Sequence, residues 1–535
     1  MKKLTHFAVK QSGLGVQMNN KRKTARSPDK SVLKVRTEKN GIFGTLKVAS
    51  VAILVILQLS LQIFLFSVFS FASWIFMLIS FVLSVISCIF LISSNRSPAS
   101  KTVWIFIILI FYNIGFLLYI VTNDKFFFRK PRKRFKEVFA RSEVQRLEYA
   151  KPQISDDRAK EDCEYLKRMG GFTPFTATDT HYFPSGGQFF DDILEKISQA
   201  EKFVFIEFFI ISEGILFERF ISILTEKVNS GVDVRIIYDD LGSRSFPRRQ
   251  RKRIKKCGIK LMTFNKLVPA VNLVLNIRDH RKIIVVDGKV AYTGGANLAD
   301  EYTNERRHFG YWKDGGVRVS GEAVDGFTLM FLRQWDFLTR SFGEYAPYLK
   351  NYEKSGNDSV SVPFSCGLDR DVFIGKELYL NVISKAQGRL YLMTPYLVPD
   401  EALFNMLANK AQSGCDVRII IPEIPDKPYV YVVSLDYASR LAERGVKILL
   451  MRDSFVHSKV LLTDYCAIVG SINIDLRSFY QQFESALYTN DGATMQGLGE
   501  DFEKTFEECV PMTKKKNNAL NRFFALILKV VSPLM

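Results

Sequence analysis

The chain has 535 residues, 24% of them charged and 47% hydrophobic, with a formal net charge of +19. That length suffices for two to four domains, and the excess of positive charge points to polyanionic partners, nucleic acid or anionic lipid. Seven cysteines at 88, 163, 257, 366, 415, 466 and 509 show no paired spacing, and there are five histidines, which argues against a disulfide scaffold or a thiolate or histidine metal centre.

In chain order the first feature is a basic tail, residues 1–47, with twelve Lys/Arg against two acids. Residues 48–95 then carry no charge at all. As helix they would extend roughly 70 Å, more than twice the hydrocarbon thickness of a bilayer. Two spans fit, at 48–69 and 73–92, and a third charge-free run occupies 102–123. A membrane region of two to three spans is therefore expected over 48–123, and the chain is expected to be a multi-pass protein of the cell membrane. The segment KFFFRKPRKRFK (125–136) is as basic as the N-terminal tail. Three full spans would put these two basic flanks on opposite sides, against the preference of both for the cytoplasm. The unpaired cysteines favour a cytoplasmic catalytic portion.

After a basic juxtamembrane linker (124–175) the pattern becomes that of α/β domains. Apolar runs at 204–211, 232–240, 282–288, 390–398, 417–422 and 459–465 read as strands. Helical periodicity covers part of 190–228, and also 321–339, 403–413 and 432–444. The alternation predicts parallel or mixed sheets covered by helices. The run 248–256 (RRQRKRIKK) suits either anionic headgroups or a solvated helix face. His181 and His308 lack a neighbouring lysine and read as ordinary histidines. The C-terminal tail, 513–535, is basic and then apolar, in keeping with an interfacial or a docked helix.

The chain also repeats itself with a period of about 180 residues, too long for a solenoid and consistent with duplication of a domain. SGVDVRIIYDD returns as SGCDVRIIIP, and DHRKIIVVDGKVAYTGGAN returns as VHSKVLLTDYCAIVGSIN. The expected repeats are 176–350 and 351–512. Each contains H-x-K-x4-D: His280, Lys282 and Asp287 in the first, His457, Lys459 and Asp464 in the second. Each is followed by a small-residue turn and an asparagine, Asn297 or Asn473.

Residues i and i+2 of a strand share a face, so each His and Lys should emerge side by side. A neutral imidazole beside an ammonium suits attack on a phosphodiester, the lysine neutralising the oxygens while nitrogen approaches phosphorus. Asp287 and Asp464 fall on the opposite parity and are read as anchors for the following turn. Asn297 and Asn473 are candidate donors to a phosphoryl oxygen.

On these residues the sequence resembles the phospholipase D superfamily, with its duplicated HxKx4D, and more closely its bacterial cardiolipin synthases. The resemblance covers about residues 100–535. It includes Tyr238-Asp239-Asp240-Leu241-Gly242-Ser243, residues 276–302, Tyr311-Trp312-Lys313-Asp314, residues 394–401 (TPYLVPDE), residues 473–478 (NIDLRS) and the terminal Ser532-Pro533-Leu534. It implies two duplicated phospholipase-D-like α/β domains that share one active site, behind N-terminal transmembrane helices. The catalytic set would be His280, Lys282, Asp287, His457, Lys459 and Asp464, without metal or cofactor. It also implies an acid for each histidine, Asp314 for His280 and Glu484 for His457. Gly315-Gly316 stand where the family would carry a Thr-His-like pair, and the anchor has one charge-free run more than the family's two.

The activity implied is condensation of two phosphatidylglycerols to cardiolipin and glycerol, with anionic membrane lipids as partners and nucleic acid not expected. A phospholipase-D-type hydrolase or nuclease, and a non-catalytic lipid-binding scaffold, are the competing classes. Intact His and Lys in both repeats argue against the scaffold. Residue spacing alone does not separate transfer to lipid from transfer to water, and does not set the oligomeric state.

Overall fold

The computed structural model describes residues 70–94, 98–111, 129–144, 152–266, 277–353, 359–367 and 372–512, with a few single positions between them. The basic tail 1–47, most of the expected span 48–69, much of 112–128 and the C-terminal tail 513–535 lie outside the described residues.

The described part of the apolar region forms the helices Ser70–Ile92 and Pro98–Ile110. Among the described residues one stretch, Trp74–Ile92, is long and apolar enough to cross a membrane, and the apolar helix Ser100–Ile110 is shorter. The helix Arg129–Val144 follows.

The first repeat builds a seven-stranded sheet. Its strands begin with β1 (Thr178–Phe183), β2 (Phe203–Phe208), β3 (Asp233–Asp239) and β4 (Lys260–Phe264). They continue with β5 (Ile283–Val286), β6 (Val290–Gly294), a short β7 (Tyr311–Lys313) outside the sheet, and β8 (Gly316–Gly321). The order across the sheet is β1-β8-β6-β5-β2-β3-β4, with β2, β3 and β4 parallel and the rest antiparallel.

The second repeat supplies β9 (Ser361–Cys366), β10 (Arg389–Met393), β11 (Asp416–Pro422), β12 (Lys447–Met451) and the short β13 (Ser454–Val456). It closes with β14 (Val460–Thr463), β15 (Ala467–Gly470), β16 (Glu484–Thr489) and β17 (Cys509–Pro511). Its eight strands run β17-β12-β11-β10-β14-β15-β16-β9, so the parallel triplet β10-β11-β12 and the antiparallel set beside it mirror the first sheet.

The two sheets share one apolar core. Phe205, Ile283, Val285 and Val317 of the first meet Met393, Ile420, Val460 and Leu487 of the second. Each sheet is covered on its far side by its own helices, among them Gly186–Ser198 and Ile215–Asn229 on the first, and Ile374–Lys385 and Glu401–Gln412 on the second. Strands packed on both faces have no polar side to show, and all six residues of β2 are buried. Asp400 and Asp491 mark helix starts in the sequence by accepting from the backbone N–H three residues on.

Two short cross-repeat ladders position the site. β7 pairs in parallel with β13, and Asp279 forms an isolated parallel bridge with Phe483. In each case the segment that leads into one repeat's His motif lies against the segment ending at the other repeat's Asp314 or Glu484.

Candidate active site

The ladders bring both motifs to one place. His280 N–H donates to the Phe483 carbonyl at 2.8 Å, and Phe483 N–H donates to the Arg278 carbonyl at 2.8 Å. His457 N–H donates to the Lys313 carbonyl at 2.8 Å in the matching position. Glu484 follows Phe483 and Asp314 follows Lys313, so each acid is delivered to the histidine of the opposite repeat. His280 Nδ1 is 2.8 Å from Glu484 Oε2, and His457 Nδ1 is 2.5 Å from Asp314 Oδ2. This corrects the assignment of Asp314 to His280 and Glu484 to His457: the acids are exchanged between the repeats. The physical reason is the ladder, which runs between the repeats and is invisible to a comparison of one repeat with itself.

With Nδ1 donating to a carboxylate, each ring presents Nε2 as the free basic nitrogen. The lysines fold back beside their histidines. Lys282 Nζ donates to the His280 carbonyl at 2.7 Å, and Lys459 Nζ donates to the His457 carbonyl. Lys459 Nζ also lies 2.8 Å from His457 Nδ1, but an ammonium and a ring N–H cannot bond each other, so the closer carboxylate takes the Nδ1 proton.

Both histidines, both lysines and both acids are buried. Burial, reinforced by the charges of Lys282 and Lys459, holds both imidazoles well below their ordinary pKa, so they are neutral in the empty site. Burial lowers Lys282 to about 8 and Lys459 to about 7. It raises Asp314 to about 6 and Glu484 to about 8. An incoming phosphodiester anion would reverse the trend for the cations, since an opposite charge favours the protonated form.

The two acids are held differently. Glu484 accepts from the Ser471 hydroxyl at 2.5 Å and the Ser478 hydroxyl at 2.7 Å. Asp314 accepts from the Gly315 N–H at 2.8 Å. In the first repeat Ser471 is replaced by Gly295, where an added Cβ would sit 2.3 Å from Asp314 Oδ1. The shorter Asp314 therefore requires glycine opposite it. Ser471 and Ser478 are functional candidates that the sequence does not single out. Ser471 stands in the small-residue turn, a pattern that points only to close backbone approach.

Asp287 and Asp464 stand apart from this cluster. Asp287 lies in the turn after β5 and accepts the backbone N–H groups of Glu201, Lys202 and Phe203 at 2.7–2.8 Å. Asp464 accepts from Gln387 and Gly388 N–H and pairs with Arg158 at 2.5 Å. They tie the chain entering β2 and β10 to the end of the motif strand, rather than anchoring the turn that follows them. Asn297 accepts from Ile210 N–H at 3.1 Å and donates to the Tyr302 hydroxyl at 2.7 Å, so its amide is engaged within the protein. Asn473 keeps a buried amide oxygen without a hydrogen-bond partner.

Aromatic rings wall the site: Phe209 lies edge-on to His280 at 4.9 Å, and Tyr302 and Trp312 lie 5.2 and 5.5 Å from His457. Lys427 adds positive charge toward both histidines. His181 is exposed on β1 and His308 lies beside Phe309, both outside the ladder. The run RRQRKRIKK is the helix Arg248–Lys256, two of whose arginines pair with Glu213 and Glu218 at 2.8 Å. Among the described residues no group of three or more His, Cys, Asp or Glu side chains is placed to hold a metal ion.

The model of the family described as "Cardiolipin synthase, PLD-like domain" matches residues 193–312 and 379–506, and so includes both motifs. A cardiolipin synthase of Oceanobacillus iheyensis is 32% identical over 85% of this chain and 98% of its own. An uncharacterized protein of Streptococcus mutans is 37% identical over 84% of this chain and 99% of its own. The fold is similar to that of phosphatidylserine synthase from Haemophilus influenzae, with a TM-score of 0.53 at 16% identity over 70% of this chain and 98% of that one. With two half-sites joined by crossed ladders and relatives of this identity along most of its length, the chain belongs to the phospholipase-D-like cardiolipin synthase family.

Proposed function

We propose that the protein is a membrane phosphatidyltransferase that joins two phosphatidylglycerols into cardiolipin and releases glycerol. The observation that carries this reading is the pair of buried His–Lys units, each histidine bonded through Nδ1 to an acid of the other repeat. Two neutral imidazoles with two ammonium groups suit double displacement at a phosphodiester, and the cardiolipin synthase relatives supply the substrate class.

In the first step His280 Nε2 attacks phosphorus, the bond from phosphorus to the glycerol oxygen breaks, and His457, which takes up a proton from solvent as the phosphodiester anion enters, gives that proton to the departing oxygen. In the second step His457, now neutral, removes the proton from a glycerol hydroxyl of another phosphatidylglycerol. That oxygen attacks phosphorus and the bond to His280 breaks. Lys282 and Lys459 neutralise the phosphoryl oxygens throughout. Microscopic reversibility assigns one histidine to both proton transfers. The acids favour His457 as that histidine. Asp314 is raised only to about 6 and stays largely charged at neutral pH, whereas Glu484 rises to about 8. The acid that keeps its charge more readily, Asp314, supports an imidazolium better.

The apolar helix Trp74–Ile92 and the charge-free runs on either side of it support a multi-pass anchor of two to three spans, and the unpaired cysteines support a cytoplasmic catalytic region. A dry site beside the bilayer favours a lipid hydroxyl over water as acceptor. Purified protein given phosphatidylglycerol as its sole lipid should form cardiolipin and glycerol in equal amounts by mass spectrometry. Phosphatidic acid as the main product would make the protein a hydrolase and reject the proposal.

A further inference from the structure

Phe135, Phe264, Ile277 and Phe483 form a small apolar cluster separate from the three large cores. Phe135 belongs to the helix Arg129–Val144, which the sequence presents only as a basic linker, and Phe483 immediately precedes Glu484. The Phe135 ring stacks on Phe337 with centroids 3.7 Å apart, and on Phe483 with centroids 5.0 Å apart.

The helix is docked by more than this stack. Arg134 donates to the carbonyls of Phe337 and Asp336, in the last turn of the helix Val324–Thr339, where a cation is favoured. Arg333 Nε donates to Ser142 Oγ at 2.7 Å. Arg141 lies over the Phe342 ring at 3.9 Å.

Phe483 is held at both ends of its structure. Its backbone exchanges hydrogen bonds with Arg278 and His280, while its ring is clamped by Phe135 and Phe264. A residue fixed in this way cannot shift without moving the bridge that sets Glu484 against His280. The corresponding position before Asp314 is Lys313, which is held instead by Asp501 and the Pro184 carbonyl. The two halves of the site are thus braced by different parts of the chain.

The geometry points to Phe135 as a positioning residue for His280: through Phe483 it sets the approach of Glu484 to the imidazole, so the helix next to the apolar N-terminal segments supports the active site directly. This inference rests on the reading that His280 serves in phosphatidyl transfer. In full-length protein assayed in phosphatidylglycerol–detergent micelles, Phe135→Ala should lower kcat about tenfold or more, with KM changed by less than about twofold. The acid limb of its kcat profile should move up toward the ordinary imidazole value as water reaches His280 and relieves the burial that depresses it. Phe135→Leu should restore most of the rate. Ser142→Ala, which loosens the same helix at its far end from Phe483 by removing the Arg333 hydrogen bond, should keep the wild-type profile. Wild-type kcat and pH dependence in Phe135→Ala would overturn the inference, as would equal losses in Phe135→Ala and Ser142→Ala with no shift of profile. If the wild-type protein does not turn over phosphatidylglycerol, the functional reading fails, and the brace is read from acylation of His280 by diethyl pyrocarbonate. Faster acylation in Phe135→Ala supports the brace, and an unchanged rate overturns it.

Discussion

Glu484 meets the Nδ1 of His280 at 2.8 Å across 204 positions of sequence, and the contact exists only because β16 of the second repeat begins beside the motif of the first. The reciprocal contact, Asp314 with His457, makes each half-site dependent on both repeats. Neither repeat holds a complete histidine–acid pair of its own.

The exchange can be tested with a leaving group that needs no proton. A phosphatidyl ester of p-nitrophenol departs without general-acid help, so its transfer should bypass loss of the acid but not loss of the nucleophile. Asp314→Asn should lower phosphatidylglycerol turnover by about 10²–10⁴-fold and regain much of the rate of the first step with the activated ester. Glu484→Gln should remain slow with both substrates. The opposite grouping, with Glu484→Gln rescued and Asp314→Asn not, would make Glu484 the partner of the acid, either by exchanging the roles of the two histidines or by uncrossing the pairing, and the labelling experiment below separates the two.

His280→Ala and His457→Ala should each lose turnover almost completely, because nucleophile and acid act as a unit. Rapid quenching with phosphorus-labelled lipid at neutral or alkaline pH should place label on the peptide bearing His280. Label on His457 would reverse the roles, and inversion of configuration at phosphorus over the whole reaction would exclude a covalent intermediate.

The pH dependence follows from the lysines. Lys459, at about 7, and Lys282, at about 8, lose their charge as pH rises through those values in the empty site. A neutral amine no longer attracts the phosphodiester, so kcat/KM should fall above about pH 7. Bound anion raises both lysines, so the fall in kcat should occur at higher pH. Lys459→Arg, whose guanidinium stays charged, should move the kcat/KM limb upward even if its rate is reduced. A kcat/KM flat to about pH 9 would remove the lysines from substrate capture.

Asp287 should matter for stability rather than for chemistry. It is 2% exposed and satisfies three backbone N–H groups. Asp287→Ala should cost about 1–3 kcal/mol for each donor left buried without a partner. Thermal melting should show the loss, while kcat of the protein that remains folded stays near wild type. A large fall in kcat at unchanged melting temperature would place Asp287 in the chemistry after all.

Activity should persist in excess EDTA, since Lys282 and Lys459 beside the histidines supply the positive charge that the phosphoryl oxygens need. Loss of activity restored by one particular divalent ion would refute this.

The strand runs legible in the sequence correspond to strands in the sheets: 204–211 takes in all of β2 but its first residue, 232–240 holds β3, 417–422 lies within β11, and 459–465 holds β14. Periodicity is written in neighbouring residues, so local elements can be read from it. The pattern in 190–228 covers parts of two helices, Gly186–Ser198 and Ile215–Asn229, with β2 between them. β7 and β13, three residues each, are not legible, because a pair so short has no period of its own.

The sequence by itself determined the chemistry available: one His–Lys unit, present twice, each leading into a strand that must be buried. The tertiary structure alone decided who serves whom. Asp314 and Glu484 can be named as acids from the family resemblance, which leads to pairing each with the histidine of its own repeat. Hydrogen bonding between β7 and β13, and between Asp279 and Phe483, sets the exchange. Likewise Phe135 reads as one apolar residue in a basic run until folding stacks it on Phe483. Contacts between segments hundreds of residues apart leave no periodic trace in the chain, because they depend on how two finished surfaces meet.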